Sequence, residues 1–183
     1  MLVISHDISD LLMLTDELLI LKSGKCVGQG NYYELVAQEE TSHELIKSGL
    51  MNTIELKKES TDRKKGIVIL SGNDHKIYAE SQLSDNLHDS TVNVFLRPED
   101  ITLALHKIED ISMQNQIEGI IERLIVTDNK VLCIIDHGFR LIAEVTLATK
   151  EKMDLKQGAK IWSLFKAAAV KLSNGRTASS PQQ

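Results

Sequence analysis

Apolar positions change their spacing once along the chain. Up to about Met51 they recur at helical spacing between short strand-like runs, and beyond it they alternate. The opening Leu2-Val3-Ile4-Ser5 is an apolar, partly β-branched run closed by His6-Asp7, which predicts a buried parallel strand. Asp7 or Ser9 then caps a helix through Leu11, Leu12 and Leu14, and Asp16-Glu17 leads into a strand over 18–21. Lys22-Ser23-Gly24-Lys25 has turn chemistry, and Cys26 to Gly30 returns as a short strand. Asn31 caps a helix holding Tyr32, Leu35 and Val36, and a further helix is expected over 42–50.

After Met51 the period is two. Gly66 to Leu70 and His75 to Ala79 flank a Ser71-Gly72-Asn73-Asp74 turn, which predicts a hairpin. Thr91 to Arg97 reads as another strand, stopped by Pro98 and restarted over 101–105. Before these strands, Glu55 to Lys65 alternates in charge sign, as a solvated strand edge or loop does. The expected fold class is α+β: the truncated α/β end of a larger domain, followed by a small all-β barrel with a helical insertion. The expected units are 1–51, a connector with the first strand over 52–65, a β domain over 66–173, and a disordered tail over 174–183.

Charge and cysteine usage narrow the chemistry. The 183 residues carry a net charge of −5, with an isoelectric point near 5.7, so no general basic field is available to hold nucleic acid. Cys26 and Cys133 lie far apart with no Cys/His cluster around them, which points to two small hydrophobes in a reducing cytosol and to no metal site. Asp136-His137-Gly138 invites a metal reading but fits a hairpin turn. No run approaches the roughly 18 apolar residues of a membrane span, so a soluble protein without an export signal is expected.

The run V-I-S-H-D, the capped helix, D-E-L-L-I-L-K-S-G-K and G-N-Y-Y-E-L resemble the C-terminal part of an ABC transporter ATPase. The resemblance makes His6 the switch histidine that contacts the γ-phosphate. Independently of it, a histidine at the carboxyl end of a parallel strand stands where open α/β sheets place ligands, and its imidazole can donate to a phosphate oxygen. Taken alone, His6 reads equally well as a surface histidine beside an aspartate. No G-x-x-x-x-G-K-[ST] run is present to cradle phosphates, nor a Walker B strand, and Leu70-Ser71-Gly72 lies on the wrong side of His6 to serve as an ABC signature. Enzyme status stays open: the resemblance implies a translocase, with ATP and magnesium bound only by the full-length subunit and no hydrolysis expected from this chain alone.

The pattern F-L-R-P-E-D-I-T-L-A-L resembles the TOBE domains of importer ATPases. Ser112-Met113-Gln114-Asn115, Gly119, A-E-V-T-L-A-T over 143–149, Leu155-Lys156-Gln157-Gly158 and Phe165-Lys166-Ala167 are similar to the Mop-type molybdate-binding module, here about 110–173. Together they resemble the ATP-binding subunit of molybdate importers, the ModC type. That family implies a molybdate or tungstate site at Ser112, Gln114, Asn115, Thr146, Thr149 and Lys166, a homodimer, transmembrane permease subunits as partners, and a cytoplasmic place at the inner face of the cell membrane. The chemistry is consistent with that carry-over, because molybdate is a tetrahedral dianion without a proton at neutral pH and asks only for donors. A helix starting near Thr146 would add backbone N–H groups and a positive dipole end. Read without the family, Thr146 and Thr149 are caps, Ser112–Asn115 a turn and Lys166 a snorkelling side chain. Gln114 departs from relatives that carry arginine there. The alternative function is a stand-alone molybdate-binding or oligomerisation module with no ATPase role.

Overall fold

The computed structural model describes residues 2–81, 90–127 and 129–174. Its first part contains helix α1 (Ile8–Leu14), an antiparallel hairpin of β1 (Glu17–Lys22) and β2 (Lys25–Asn31), and helices α2 (Tyr32–Val36) and α3 (Glu39–Lys47). Local chemistry sets these elements. Asp7 caps α1 by accepting from the Ser9 amide, and Asn31 caps α2 by accepting from that of Tyr33. Ser23 and Gly24, at φ 50° and 76°, turn the hairpin. Helix α3 starts and ends earlier than the expected 42–50, because Ser48 closes it and Gly49, at φ 81°, leaves the helical region.

The expected strand over 2–5 is absent. Leu2 and Ile4 are 86% and 81% exposed, and among the described residues no strand pairs with this segment to take up its backbone hydrogen bonds. His6 lies in an exposed bend just before the α1 cap.

The rest is mostly β: β3 (Asn52–Asp62), β4 (Ile67–Gly72), β5 (His75–Glu80), β6 (Thr91–Leu96), β7 (Thr102–Ala104), β8 (Asn115–Val126), β9 (Lys130–Asp136), β10 (Arg140–Thr146), helix α4 (Leu147–Lys152), β11 (Lys160–Phe165) and β12 (Lys171–Asn174). The charged segment expected as a strand edge or loop is instead the middle strand β3, paired with β6 on one side and β4 on the other. Its charges sit at alternate positions: Ile54 and Leu56 face the core, while Glu55 and Lys57 face water. The tail expected over 174–183 lies outside the described residues apart from Asn174, which ends β12.

The two five-stranded sheets run β12-β6-β3-β4-β5 and β7-β11-β8-β9-β10, and they repeat one another. Asn52 faces Leu96 as Asn115 faces Phe165, and Lys57 faces Thr91 as Ile120 faces Lys160. A register shift follows Lys58 in β3 and Ile121 in β8, at the same place in each strand. Lys76-Ile77-Tyr78-Ala79-Glu80 and Arg140-Leu141-Ile142-Ala143-Glu144 are counterparts in sequence as well. The last strand of each repeat crosses over: β7 pairs with β11 of the second repeat, and β12 with β6 of the first. An internal pseudo-twofold with exchanged edge strands therefore organises residues 52–174.

Two asparagine side chains close this arrangement. The Asn52 amide donates to the Ile142 carbonyl (2.9 Å) and accepts from its N–H (2.6 Å). Asn115 does the same for Tyr78 of β5, at 2.9 and 2.7 Å. Each carboxamide acts as a one-residue strand against the edge of the opposite repeat, pairing backbone groups that burial would otherwise leave unsatisfied.

One apolar cluster fills the space between the repeats, with Leu56, Val68, Leu70, Ile77, Ile121, Cys133, Ile135, Leu141 and Phe165 among its members. Leu132 and Ile134 point from β9 to the other face. There, with Phe95 and Ile142, they pack on Ile8, Leu12, Tyr32, Leu35 and Val36 of the first part. The Tyr32 hydroxyl accepts from the Met51 amide (3.0 Å), and Arg123 Nη1 donates to the Ala37 carbonyl (3.0 Å). The first fifty residues are thus fastened to the second repeat by a shared core. Burial of the Tyr32 and Tyr33 hydroxyls raises both phenols far above their usual range.

Candidate functional site

The residues singled out in the sequence fall into two groups at opposite ends of β8. Asn115 opens β8 facing Phe165, the last residue of β11, so Ser112–Asn115 and Lys166 lie side by side. Ser112 and Gln114 are exposed, whereas Asn115 is buried with its amide bonded to Tyr78. Met113 lines a cleft of about 670 Å³ together with Lys166, Arg97, Lys171, Glu99 and Asp100. Lys166 is exposed and leads into the 3-10 turn Ala167–Ala169.

Thr146 and Thr149 form the other group. Thr146 ends β10 facing Lys130, near where β8 finishes at Val126 against Val131. Its hydroxyl caps α4 by accepting from the Thr149 amide (3.1 Å), and the two hydroxyls lie 2.9 Å apart. Helix α4 has six residues. The capping contact is a satisfied local motif, and the threonine pair sits at the surface with hydrogen-bonding capacity to spare.

Sequence reading passed over Arg97 and Lys171 as site residues and took His137 for a turn residue. Arg97 is the counterpart of Lys166: each follows the strand residue that faces Asn52 or Asn115, and each leads into a 3-10 turn. The repetition of F-L-R-P at 95–98 in L-F-K-A at 164–167 is the signal that could have found it. Arg97 lies 4.0 Å from Glu99, with both side chains more than half exposed, so water screens the pair. Three cations and two carboxylates leave the cleft with an excess of positive charge.

His137 does sit in the β9–β10 turn, but its ring is buried. Nδ1 donates to the Glu118 carbonyl (2.9 Å), which leaves Nε2 to accept from the Ser163 hydroxyl (3.1 Å). Burial lowers its pKa, the Glu118 hydrogen bond opposes that shift, and the nearby His75 reinforces it. The Cys133 thiol is pushed up to about 12 by burial, which makes it inert, while Cys26 is exposed. Among the described residues no group of three His, Cys, Asp or Glu side chains could hold a metal, and no helix is long and apolar enough to cross a membrane.

Residues 111–172 match the TOBE domain family, a stretch that coincides with the second repeat. No match was found among curated proteins. Among solved structures the chain is similar to the cytoplasmic molybdate-binding protein ModG, crystallised with molybdate bound. The two are 17% identical over 67% of this chain and 95% of that one, with a TM-score of 0.55, a likeness of fold. A molybdate-binding protein from Sporomusa ovata aligns over 32% of this chain and 88% of its own at 27% identity, with a TM-score of 0.31.

Proposed function

We propose that the paired β repeats bind a tetrahedral oxyanion of the molybdate class, molybdate or tungstate, at the end of β8 where Ser112–Asn115 meets Lys166. The observation that carries this reading is the coincidence of the TOBE match with the repeat whose Lys166 lines a cationic cleft, next to the segment that carries the exposed hydroxyl and amide of Ser112 and Gln114. A dianion without a proton asks for donors and positive charge, and the cleft offers both. The fold shared with ModG, which holds molybdate, supports the same ligand class.

Thr146 and Thr149 lie at the far end of β8, a strand of 12 residues and so about 35–40 Å long at roughly 3.3 Å per residue. One chain cannot turn both groups onto one small anion. A homodimer in which the threonine pair of one copy faces the Lys166 cleft of the other completes the donor set. Calorimetry with sodium molybdate tests the reading: saturable uptake, competed by tungstate, is expected, and no binding at millimolar molybdate overturns it.

In the finer form of the proposal, the module regulates a molybdate importer as part of its ATP-binding subunit at the inner face of the cell membrane. Permease subunits would be its partners, with ATP and magnesium handled together with residues outside this chain and His6 reaching the γ-phosphate. Its support is the sequence pattern of residues 1–51. The second reading, an oxyanion-binding module without ATPase work, is favoured by the packing of Ile8, Leu12, Tyr32 and Leu35 on Leu132, Ile134 and Ile142, which commits those residues to covering the second repeat. Co-purification with importer permease subunits separates the two: retention supports the transporter role, and its failure leaves the stand-alone role.

A further inference from the structure

We infer that Arg97 and Lys166, one from each repeat, clamp a single oxyanion in the cleft they share, so that one chain takes one anion there. This rests on the oxyanion reading above and adds Arg97, with Glu99 as its internal competitor. The two cations are equivalent by register, since Arg97 follows Leu96, the partner of Asn52, and Lys166 follows Phe165, the partner of Asn115. Their backbones agree closely, at φ −74°, ψ 143° for Arg97 and φ −76°, ψ 149° for Lys166. The pseudo-twofold that relates the repeats therefore brings the two side chains into one cleft from related directions. Met51 and Met113, from the segments leading into β3 and β8, line the same cleft.

A tetrahedral anion has twofold axes of its own, so two cations approaching from related directions can each take a pair of its oxygens. Arginine suits this task because its planar fork donates two parallel N–H bonds, and lysine adds a point charge. The repeats differ where the chemistry would be felt. Glu99 and Asp100 stand where the second repeat has Ala168 and Ala169. Glu99 approaches Arg97 to 4.0 Å without a tight bond, in a solvated pair that a dianion can displace. Lys171, with Thr102 as its counterpart, adds a third cation to the cleft. The first repeat thus contributes charge to the site of the second and carries its own counter-ion, which sets affinity.

The test is calorimetry of the full chain with sodium molybdate on wild type, Arg97→Ala, Arg97→Lys, Lys166→Ala and Glu99→Gln, with urea unfolding of each as a folding control. Wild type is expected to take one molybdate per chain. Arg97→Ala and Lys166→Ala should each weaken binding at least tenfold, Arg97→Lys should recover part of the loss, and Glu99→Gln should tighten binding severalfold. Arg97 is exposed, so its variants are expected to unfold at the wild-type urea concentration. If wild type binds and Lys166→Ala weakens binding while Arg97→Ala leaves it within twofold, the oxyanion reading stands and the shared clamp falls. Two molybdates per chain, each lost with a different one of these substitutions, likewise overturn the clamp. If wild type takes up no molybdate at all, both fall together.

Discussion

Gly119 and His137 complement each other in volume: a methyl group on Gly119 would collide with the His137 imidazole and the Asp136 carbonyl. The first repeat solves the same packing problem the other way round. Leu56 occupies the counterpart of Gly119, and Gly72, which stands at the place of His137, has room for no side chain because Leu56 fills it. Gly119→Ala is therefore expected to destabilise the fold by about 1–3 kcal/mol through overpacking. Gly119→Leu combined with His137→Gly, which copies the first repeat's solution, should recover much of what Gly119→Leu alone loses. A double-mutant cycle by urea denaturation measures this, and simple additivity would show that the two positions do not share the space.

Asn52 and Asn115 should be among the costliest surface-distant polar residues to replace. Asn52→Ala strands the N–H and C=O of Ile142 in a buried edge, at an expected cost of about 2–4 kcal/mol. Asn115→Ala should act alike at Tyr78. Hydrogen exchange provides the local check: the Ile142 amide should lose protection in Asn52→Ala, and the Tyr78 amide in Asn115→Ala. Unchanged exchange at both amides would refute the closure role.

Stability should fall in mild acid because of His137. Its pKa in the fold is depressed by burial, so the unfolded chain takes up a proton near pH 6.5 while the native ring resists it. The contribution is full above about pH 6.5 and is lost as the pH falls from there through the depressed native value. Urea midpoints from pH 8 to pH 5 should drop more steeply for wild type than for His137→Asn. Parallel slopes would assign the acid sensitivity to other groups.

The two cysteines should differ in reactivity toward a disulfide reagent at pH 8. Cys26 is exposed and Cys133 is buried with its thiol pushed up to about 12. One thiol is expected to react promptly in the native protein and the second only on unfolding. Equal rates in the native state would mean that the core around Cys133 opens readily.

Ligand choice follows from a cleft whose cations, Arg97, Lys166 and Lys171, outnumber its carboxylates, Glu99 and Asp100. Tungstate, close to molybdate in size and charge, should compete on equal terms, whereas phosphate is partly a monoanion at neutral pH and gains less from the net positive charge of the cleft, although Glu99 and Asp100 can accept its proton. Competition calorimetry reads this directly, and displacement of molybdate by phosphate as effective as that by tungstate would reject the proposed selectivity.

By itself the sequence determined the local elements. The caps at Asp7 and Asn31, the hairpin turns at Ser23-Gly24 and Asn73-Asp74 and the alternation in β4, β5 and β6 rest on interactions a few residues apart, so they were legible. Ser112–Asn115, Thr146, Thr149 and Lys166 drew attention as donors only through the resemblance to the Mop-type module, since local pattern alone reads them as caps, a turn and a snorkelling lysine. The strand expected over 2–5 failed because a strand needs a neighbour, which no local pattern supplies. Only the tertiary structure decided that β3 is a middle strand, that β7 and β12 change places between repeats and that two asparagine amides complete the sheet edges. It also decided that His137 is buried under Gly119, and that Arg97 joins Lys166 in one cleft while the threonine pair stands at the other end of β8. The reason is physical: pairings between residues far apart in the chain are chosen by the joint closure of both repeats around one core, and each segment's own sequence is compatible with several partners.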